Sequence, residues 1–194
     1  SIHPGGAVLT SGQTLKCRAV VLATDGPETL RLLGKSASMV SQGELCLYFA
    51  APIAPINDPY LILNGEGTGV INSITFPSVV ATSYAPAGEA LISVVLIGHL
   101  ALDDKIAESL VRKELTEWFG SVVEKWRHLK TYRNPHALPA QPPPIPDPTV
   151  PAKPMKPGIY VCGEYQSVPG SQWALLSGRH AAEALIKELV KIPE

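Results

Sequence analysis

Residues 6–23 carry two apolar stretches, "AVLT" and "LKCRAVVLA", on either side of Ser11-Gly12. Short strand-like runs around a glycine turn predict a β-hairpin. The second arm closes on the unbroken apolar run Ala19–Ala23, the pattern of a parallel-sheet strand buried on both faces. In "TDGPETLRLLG", Asp25 or Gly26 can cap a helix, Pro27 fits its first turn, Glu28 suits its positive end and Gly34 stops it. Four further strand candidates follow, "ELCLYFAAP", "PYLILN", "GVINSITFPS" and "ALISVVLIG", divided by Pro, Gly and Asn. Their spacing predicts an antiparallel or mixed sheet. The rhythm then changes to 3.6 residues in "LDDKIAESLVRKELTEWFG". Ala107, Leu110, Val111, Leu115, Trp118 and Phe119 fall on one helical face, with Asp103 or Asp104 as cap and Gly120 as stop.

Proline punctuates the rest. Residues 135–157 hold ten of the 19 prolines, which excludes a helix or a central strand there and leaves an extended crossing segment or linker. "GIYVC" then reads as a short buried strand, and a helix is predicted over about residues 171–190. The order is strand pair, short helix, four-strand block, helix, proline segment, strand, long helix. This is a mixed α/β (α+β) chain. Its first and last parts, residues 1–34 and 156–194, are expected to share one parallel sheet. Residues 35–134 are expected to form a second layer inserted between them, and 135–155 the proline-rich crossing.

Composition narrows the partners. With 194 residues and 45% hydrophobic content the chain can bury a substantial core. Sixteen basic against 17 acidic residues leave no surplus to neutralise phosphates, which argues against nucleic acid as a partner. No apolar run reaches the ~18–20 residues of a membrane span. Cys17, Cys46 and Cys162 are odd in number and form no C-x-x-C pair. Buried, reduced thiols and an intracellular setting, cytoplasm or organelle, are the expectation.

The chemistry concentrates in "GEYQSVPGSQWALLSGRHAAEAL", Gly163–Leu185. Ala174, Leu175, Gly178, Ala181, Ala182, Leu185, Ile186 and Leu189 form one stripe, and its small first half lets the helix lie close to a sheet or a flat ligand. The helix start offers unpaired N–H groups and a partial positive charge, which suit a carbonyl or an anion. Glu164 falls at the carboxyl end of the predicted strand, where open α/β sheets bind ligands. A carboxylate there accepts hydrogen bonds from sugar-like hydroxyls and repels phosphate. A plain capped strand–turn–helix explains the same residues without a ligand.

Gly163-Glu164, Ala174-Leu175, Ser177-Gly178-Arg179 and Ala181-Ala182 together resemble the C-terminal FAD-binding segment of the flavin-containing amine oxidase superfamily, which includes protoporphyrinogen oxidases and carotenoid desaturases. "LKCRAVVLAT" is similar to the late strand of that family's Rossmann-like sheet, and "WRHLKTYRNPHALP" to the segment returning from its substrate domain. The resemblance implies that Glu164 contacts the ribityl chain of FAD. It implies that Gly163, Ser171, Gln172, Trp173 and Ala174 lie by the flavin, largely through backbone N–H groups. It also implies an FAD-dependent oxidoreductase that moves a hydride from substrate to flavin N5.

Two features depart from the family pattern. The G-x-G-x-x-G turn that cradles the pyrophosphate does not occur; "GEGTGV" at 65–70 lies between strand-like runs and reads as a sheet turn. Residues 1–194 are therefore expected to be the C-terminal part of such an enzyme, inactive alone, with an exposed sheet edge open to self-association or a partner chain. Trp173 stands where the family often has Gly, and Pro169-Gly170 where amine oxidases place an aromatic cage residue. The resemblance thus implies a small, apolar substrate more than a charged amine. No Cys precedes the closing strand closely enough to attach the cofactor, so FAD would be held noncovalently.

The remaining candidates favour structural roles. His99, His128 and His136 are scattered, with no metal-ligand or nucleophile–base spacing. Tyr48, Phe49 and Phe76 read as core or cavity wall, Tyr132 and Arg133 as possible flavin neighbours, Arg179 as a partner for a carboxylate and His180 as surface. A second reading of the whole chain, from another class, is a cofactor-free binding module whose middle sheet holds a lipophilic ligand or a partner subunit.

Overall fold

A computed structural model describes residues 1–35, 39–98, 101–140, 142–145, 147–150, 153–166 and 168–190. His99 lies outside them. The chain divides into two compact units, Ser1–Ser41 with Leu138–Glu194, and Gln42–Ala137.

In the first unit, β1 (Ile2–His3), β2 (Gly6–Val8) and β3 (Thr14–Lys16) form an antiparallel sheet in the order β1-β2-β3. The β2–β3 turn closes through Leu9 N–H on Gln13 O at 2.9 Å, with Gly12 at φ +84°. The predicted second arm is two strands, not one. After β3 the chain leaves the hairpin at Cys17, whose N–H bonds to Gly5 O, and re-enters as β4 (Val20–Leu22) in a different sheet. Cys17 is consequently exposed rather than buried.

Helix α1 (Gly26–Leu32) begins on Asp25, whose side chain accepts the Glu28 N–H at 2.8 Å, and Gly34 turns away from it at φ +69°. β4 pairs in parallel with β10 (Ile159–Val161), in the register Val20↔Ile159, Val21↔Tyr160 and Leu22↔Val161. Alternation sends Leu22, Ile159 and Val161 to a cluster with Leu33, and Tyr160 and Cys162 to Ala181 of α4 (Ser171–Val190). Burial on both faces of β4 is not found, because Val21 is 41% exposed.

The α4 stripe is also corrected. Leu175, Ala182 and Ile186 lie on the exposed side, whereas Ala181, Ala184 and Leu185 pack on β10. The packed face includes Glu188, which accepts a short hydrogen bond from the Tyr160 hydroxyl.

Burial of Tyr160, and secondarily that bond, push its phenol up to about 12. The neutral phenol is thus favoured in the fold. Its contribution is complete below the ordinary tyrosine range near pH 10 and is lost as pH rises toward 12. We expect unfolding midpoints of the wild type to fall more steeply than those of Tyr160→Phe between pH 10 and 12. Parallel curves in denaturant titrations would refute this.

In the second unit, β5 (Ser41–Ala51), β6 (Ile62–Leu63), β7 (Ser73–Thr75), β8 (Ala90–Ile97) and β9 (Arg127–Pro139) form one sheet in the order β6-β7-β8-β5-β9. The pairs β5–β8, β7–β8 and β6–β7 are antiparallel. β9 is a strand the apolar pattern did not predict. It reaches into the proline-rich stretch because it lies at the sheet edge, where Pro135 and Pro139 need no ladder donor.

One sheet face, with Leu45, Leu47, Phe49, Ile92, Val94 and Leu96, packs on Ala107, Val111 and Leu115 of α3 (Asp104–Phe119). A four-residue helix, α2 (Pro77–Val80), follows β7. Asp103 caps α3 through the Lys105 N–H, and Gly120 follows it at φ +73°. The α3 face differs from the apolar prediction: Leu110 and Trp118 are partly exposed, and Glu114 takes a buried place.

Among the described residues no helix is long and apolar enough to cross a membrane.

Candidate functional site

β4 and β10 run parallel, so their carboxyl ends lie together. The backbone there is shaped by glycine. The pair is bracketed by Val20 N–H on Gly158 O at 2.8 Å, at the amino ends, and by Cys162 N–H on Leu22 O at 2.9 Å, at the carboxyl ends. Gly163 then adopts φ +145°, a conformation side chains rarely take, and donates its N–H to Ser177 Oγ at 3.1 Å. That bond ties the strand exit to the second turn of α4. A single 3-10 turn, Glu164–Gln166, follows.

Glu164 is half-buried and accepts the Gly170 N–H on Oε2 at 2.6 Å. Gly170 lies at φ +139°, and its carbonyl accepts both Trp173 N–H and Ala174 N–H at 3.0 Å. Glu164 is thus fastened directly ahead of the α4 N-terminus, where negative charge meets the positive end of the helix dipole. Gln172 folds its side-chain amide back over Gly170, near where a Cβ on that residue would sit.

The structure therefore brings Gly163, Glu164, Ser171, Gln172, Trp173 and Ala174 to one strand end and one helix start, and it redistributes their donors. Trp173 and Ala174 have their N–H groups engaged by Gly170. Among the described residues, the N–H groups of Ser171 and Gln172 and Oε1 of Glu164 meet no hydrogen-bond partner. One carboxylate oxygen can accept from a hydroxyl and two N–H groups can donate to a carbonyl edge, a set that suits the ribityl and pyrimidine ends of a flavin. The residues present fit the group.

Tyr165 is a site residue that sequence reasoning missed. Its hydroxyl shares a 2.9 Å hydrogen bond with Thr29 Oγ1, which shares one of 2.8 Å with Thr24 Oγ1. Thr29 is 2% exposed. This chain of hydroxyls joins the loop after β10 to the loop and helix after β4. Burial pushes the Tyr165 phenol up, which keeps it neutral and able to donate. Its ring lies where a Cβ on Gly163 would sit and 3.3 Å from a Cβ on Gly26. The signal available was local: two threonines flanking the Asp25 cap, and a tyrosine directly after Gly163-Glu164.

Other candidates separate from this site. "GEGTGV" is a turn, with Gly67 and Gly69 at φ +68° and +82°. Glu114 of α3 holds it, accepting Val70 N–H at 2.8 Å, Ile71 N–H at 3.2 Å and Asn64 Nδ2 at 3.1 Å. His128 contacts Glu108 at 3.3 Å and Thr131 at 3.0 Å, and His136 is exposed. Among the described residues no cluster of His, Cys, Asp and Glu could hold a metal. Phe49 and Phe76 are core, whereas Tyr48 is half-buried against Tyr132. Arg133 pairs with Asp104 and Arg179 with Glu183, and His180 is half-buried.

Solved structures share this fold. The PF1083 protein of Pyrococcus furiosus superposes with a TM-score of 0.65 at 15% identity, over 94% of this chain and 44% of its own. A protein provisionally named protoporphyrinogen oxidase from Exiguobacterium sp. 255-15 gives 0.65 at 15%, over 98% and 46%. Cyclohexylamine oxidase from Brevibacterium oxydans IH-35A gives 0.64 at 14%, over 97% and 47%. The chain spans less than half the length of each. No curated protein matches in sequence. The family model for flavin containing amine oxidoreductases matches residues 3–186, which takes in both strands of the parallel pair, the Gly163–Ala174 rim and most of α4. The chain therefore belongs to the flavin-containing amine oxidoreductase family.

Proposed function

We propose that this chain is the C-terminal part of an FAD-dependent oxidoreductase and that the rim from Gly163 to Ala174 holds the ribityl and pyrimidine ends of the flavin. The observation that carries the reading is the fastening of Glu164 to Gly170 ahead of α4, with one carboxylate oxygen and two N–H groups that have no partner among the described residues. When bound, FAD supplies the acceptor for a hydride leaving a substrate C–H bond. Glu164 would orient a ribityl hydroxyl by accepting its hydrogen bond. The α4 N-terminus favours negative charge on the ring edge. Gly163 makes room for the Tyr165 ring and Gly170 for the Gln172 amide, which sets the shape of the rim.

The unit of residues 42–137 contributes the substrate side, and an apolar substrate suits it better than a charged amine. The chain alone holds FAD poorly, because nothing in it resembles a pyrophosphate cradle. A parallel sheet of two three-residue strands is short for independent stability. Its free edges therefore pair with strands supplied by the remainder of the complete protein or by a partner chain.

Anaerobic mixing of the FAD-loaded complete protein with candidate donors tests the reaction. Loss of flavin absorbance with apolar C–H donors, slowed by deuterium at the transferred position, is expected. A flavin that no donor reduces, or reduction with no isotope effect under single-turnover conditions, contradicts hydride transfer.

A further inference from the structure

Alternation along β5 and β8 turns Cys46, Tyr48, Leu91 and Ser93 to the sheet face away from the α3 core. A cavity of about 410 Å³ opens there, lined by Tyr48, Leu91, Leu129, Lys130 and Tyr132. Its size falls within the range of small-molecule sites, about 300–1,000 Å³. All five residues belong to the Gln42–Ala137 unit.

The walls are ordered. Tyr48 and Tyr132 meet edge to face, with ring centroids 5.7 Å apart and planes at 89°. Lys130 Nζ stands 5.0 Å from the Tyr132 ring centroid. Behind the lining, Cys46 Sγ and Ser93 Oγ lie 3.3 Å apart on the same sheet face as Tyr48. Hydrogen bonding to Cys46, then burial, push the Tyr48 phenol up, so it remains a neutral donor.

One cation, Lys130, stands at this cavity. Among the described residues no carboxylate pairs with Lys130, the only charged residue lining the cavity. Its ammonium rests on an aromatic face at an apolar opening. A ligand amine would meet like charge and no acceptor carboxylate. A ligand carboxylate would find its counter-ion, while an apolar body would cover Leu91, Leu129 and the tyrosine rings.

We propose that this cavity is a binding site for a small amphipathic anion, an aryl- or alkyl-carboxylate, with its apolar body between Tyr48, Leu91 and Leu129 and its carboxylate at Lys130. The inference does not require the flavin reading, since every residue lining the open cavity lies within 48–132.

Three probes of one shape distinguish the charges: 4-phenylbutyrate, 4-phenylbutan-1-ol and 4-phenylbutylamine, titrated calorimetrically into this chain with no FAD added. Saturable binding of the carboxylate is expected, at least about fivefold tighter than the amine, with the alcohol between them. Lys130→Gln should erase the preference for carboxylate over alcohol while leaving the alcohol's affinity in place. Leu91→Trp should weaken all three probes by filling the cavity. If Leu91→Trp does not fold, Tyr132→Ala at the exposed edge strand serves the same purpose. The proposal is overturned if no probe saturates, if the amine binds as tightly as the carboxylate, if Lys130→Gln keeps the preference, or if altering the wall changes nothing. Because FAD is absent, none of these results bears on the flavin rim.

Discussion

Glu114→Leu should lower the unfolding free energy by about 3 kcal/mol. The helix would retain a good helix former and gain apolar volume, so propensity and hydrophobicity both favour the change. The loss comes from the other side. Val70 and Ile71 N–H groups at 2.8 and 3.2 Å would lose their acceptor, and each stranded buried donor costs about 1–3 kcal/mol. Asn64 would suffer less, because its Nδ2 also bonds to Thr68 O and Ile71 O. Glu114→Gln retains one acceptor oxygen and should cost roughly half as much. The two N–H groups should also lose protection in hydrogen exchange. Unchanged unfolding midpoints for Glu114→Leu would show that the 64–71 turn holds itself without α3.

Gly163→Ala should damage the candidate site through two separable effects, together about 3 kcal/mol. The φ of +145° strains any residue with a Cβ. The added methyl would also stand 2.9 Å from Tyr165 Cδ1 and overlap the ring edge beyond it. The ring cannot retreat without giving up its 2.9 Å bond to Thr29, whose hydroxyl is buried. The steric part should vanish when the ring is removed, so Gly163→Ala should cost less in a Tyr165→Ala background than in the wild type. A double-mutant cycle on thermal or denaturant midpoints reads this directly. Strict additivity would mean that the glycine serves backbone conformation alone.

These two positions also show what a sequence can reveal. α1 was legible because its signals are local: an Asp cap, a proline in the first turn and a glycine after the end. The division of "LKCRAVVLA" into β3 and β4 was not, because β4 is defined by a partner at the other end of the chain. Apolar periodicity placed Leu110 inside and left Glu114 out. The structure reverses them because a loop distant in sequence needs an acceptor, a demand that periodicity does not register. On α4 the same rule sent Leu175 and Ile186 inward, where the packed face instead admits Glu188 to meet Tyr160. β9 escaped notice because prolines and charges suit an edge strand as well as a loop. At the site, Glu164 stood out from its place after an apolar strand. Its bond to Gly170 and the Tyr165–Thr29–Thr24 hydroxyls depend on loop geometry that residue order does not reveal.

The most direct measurement is an FAD titration, read by flavin fluorescence quenching and by the visible absorption band near 450 nm, on three proteins: this chain, the complete protein, and the complete protein with Glu164→Ala. The account predicts saturable binding by the complete protein, affinity lower by about tenfold on loss of the Glu164 hydrogen bonds, and no saturation by the chain alone. Sub-micromolar binding by the chain alone would contradict the need for a pyrophosphate cradle elsewhere. A complete protein that does not bind FAD, or binds it equally well without the Glu164 carboxylate, would contradict the flavin rim itself.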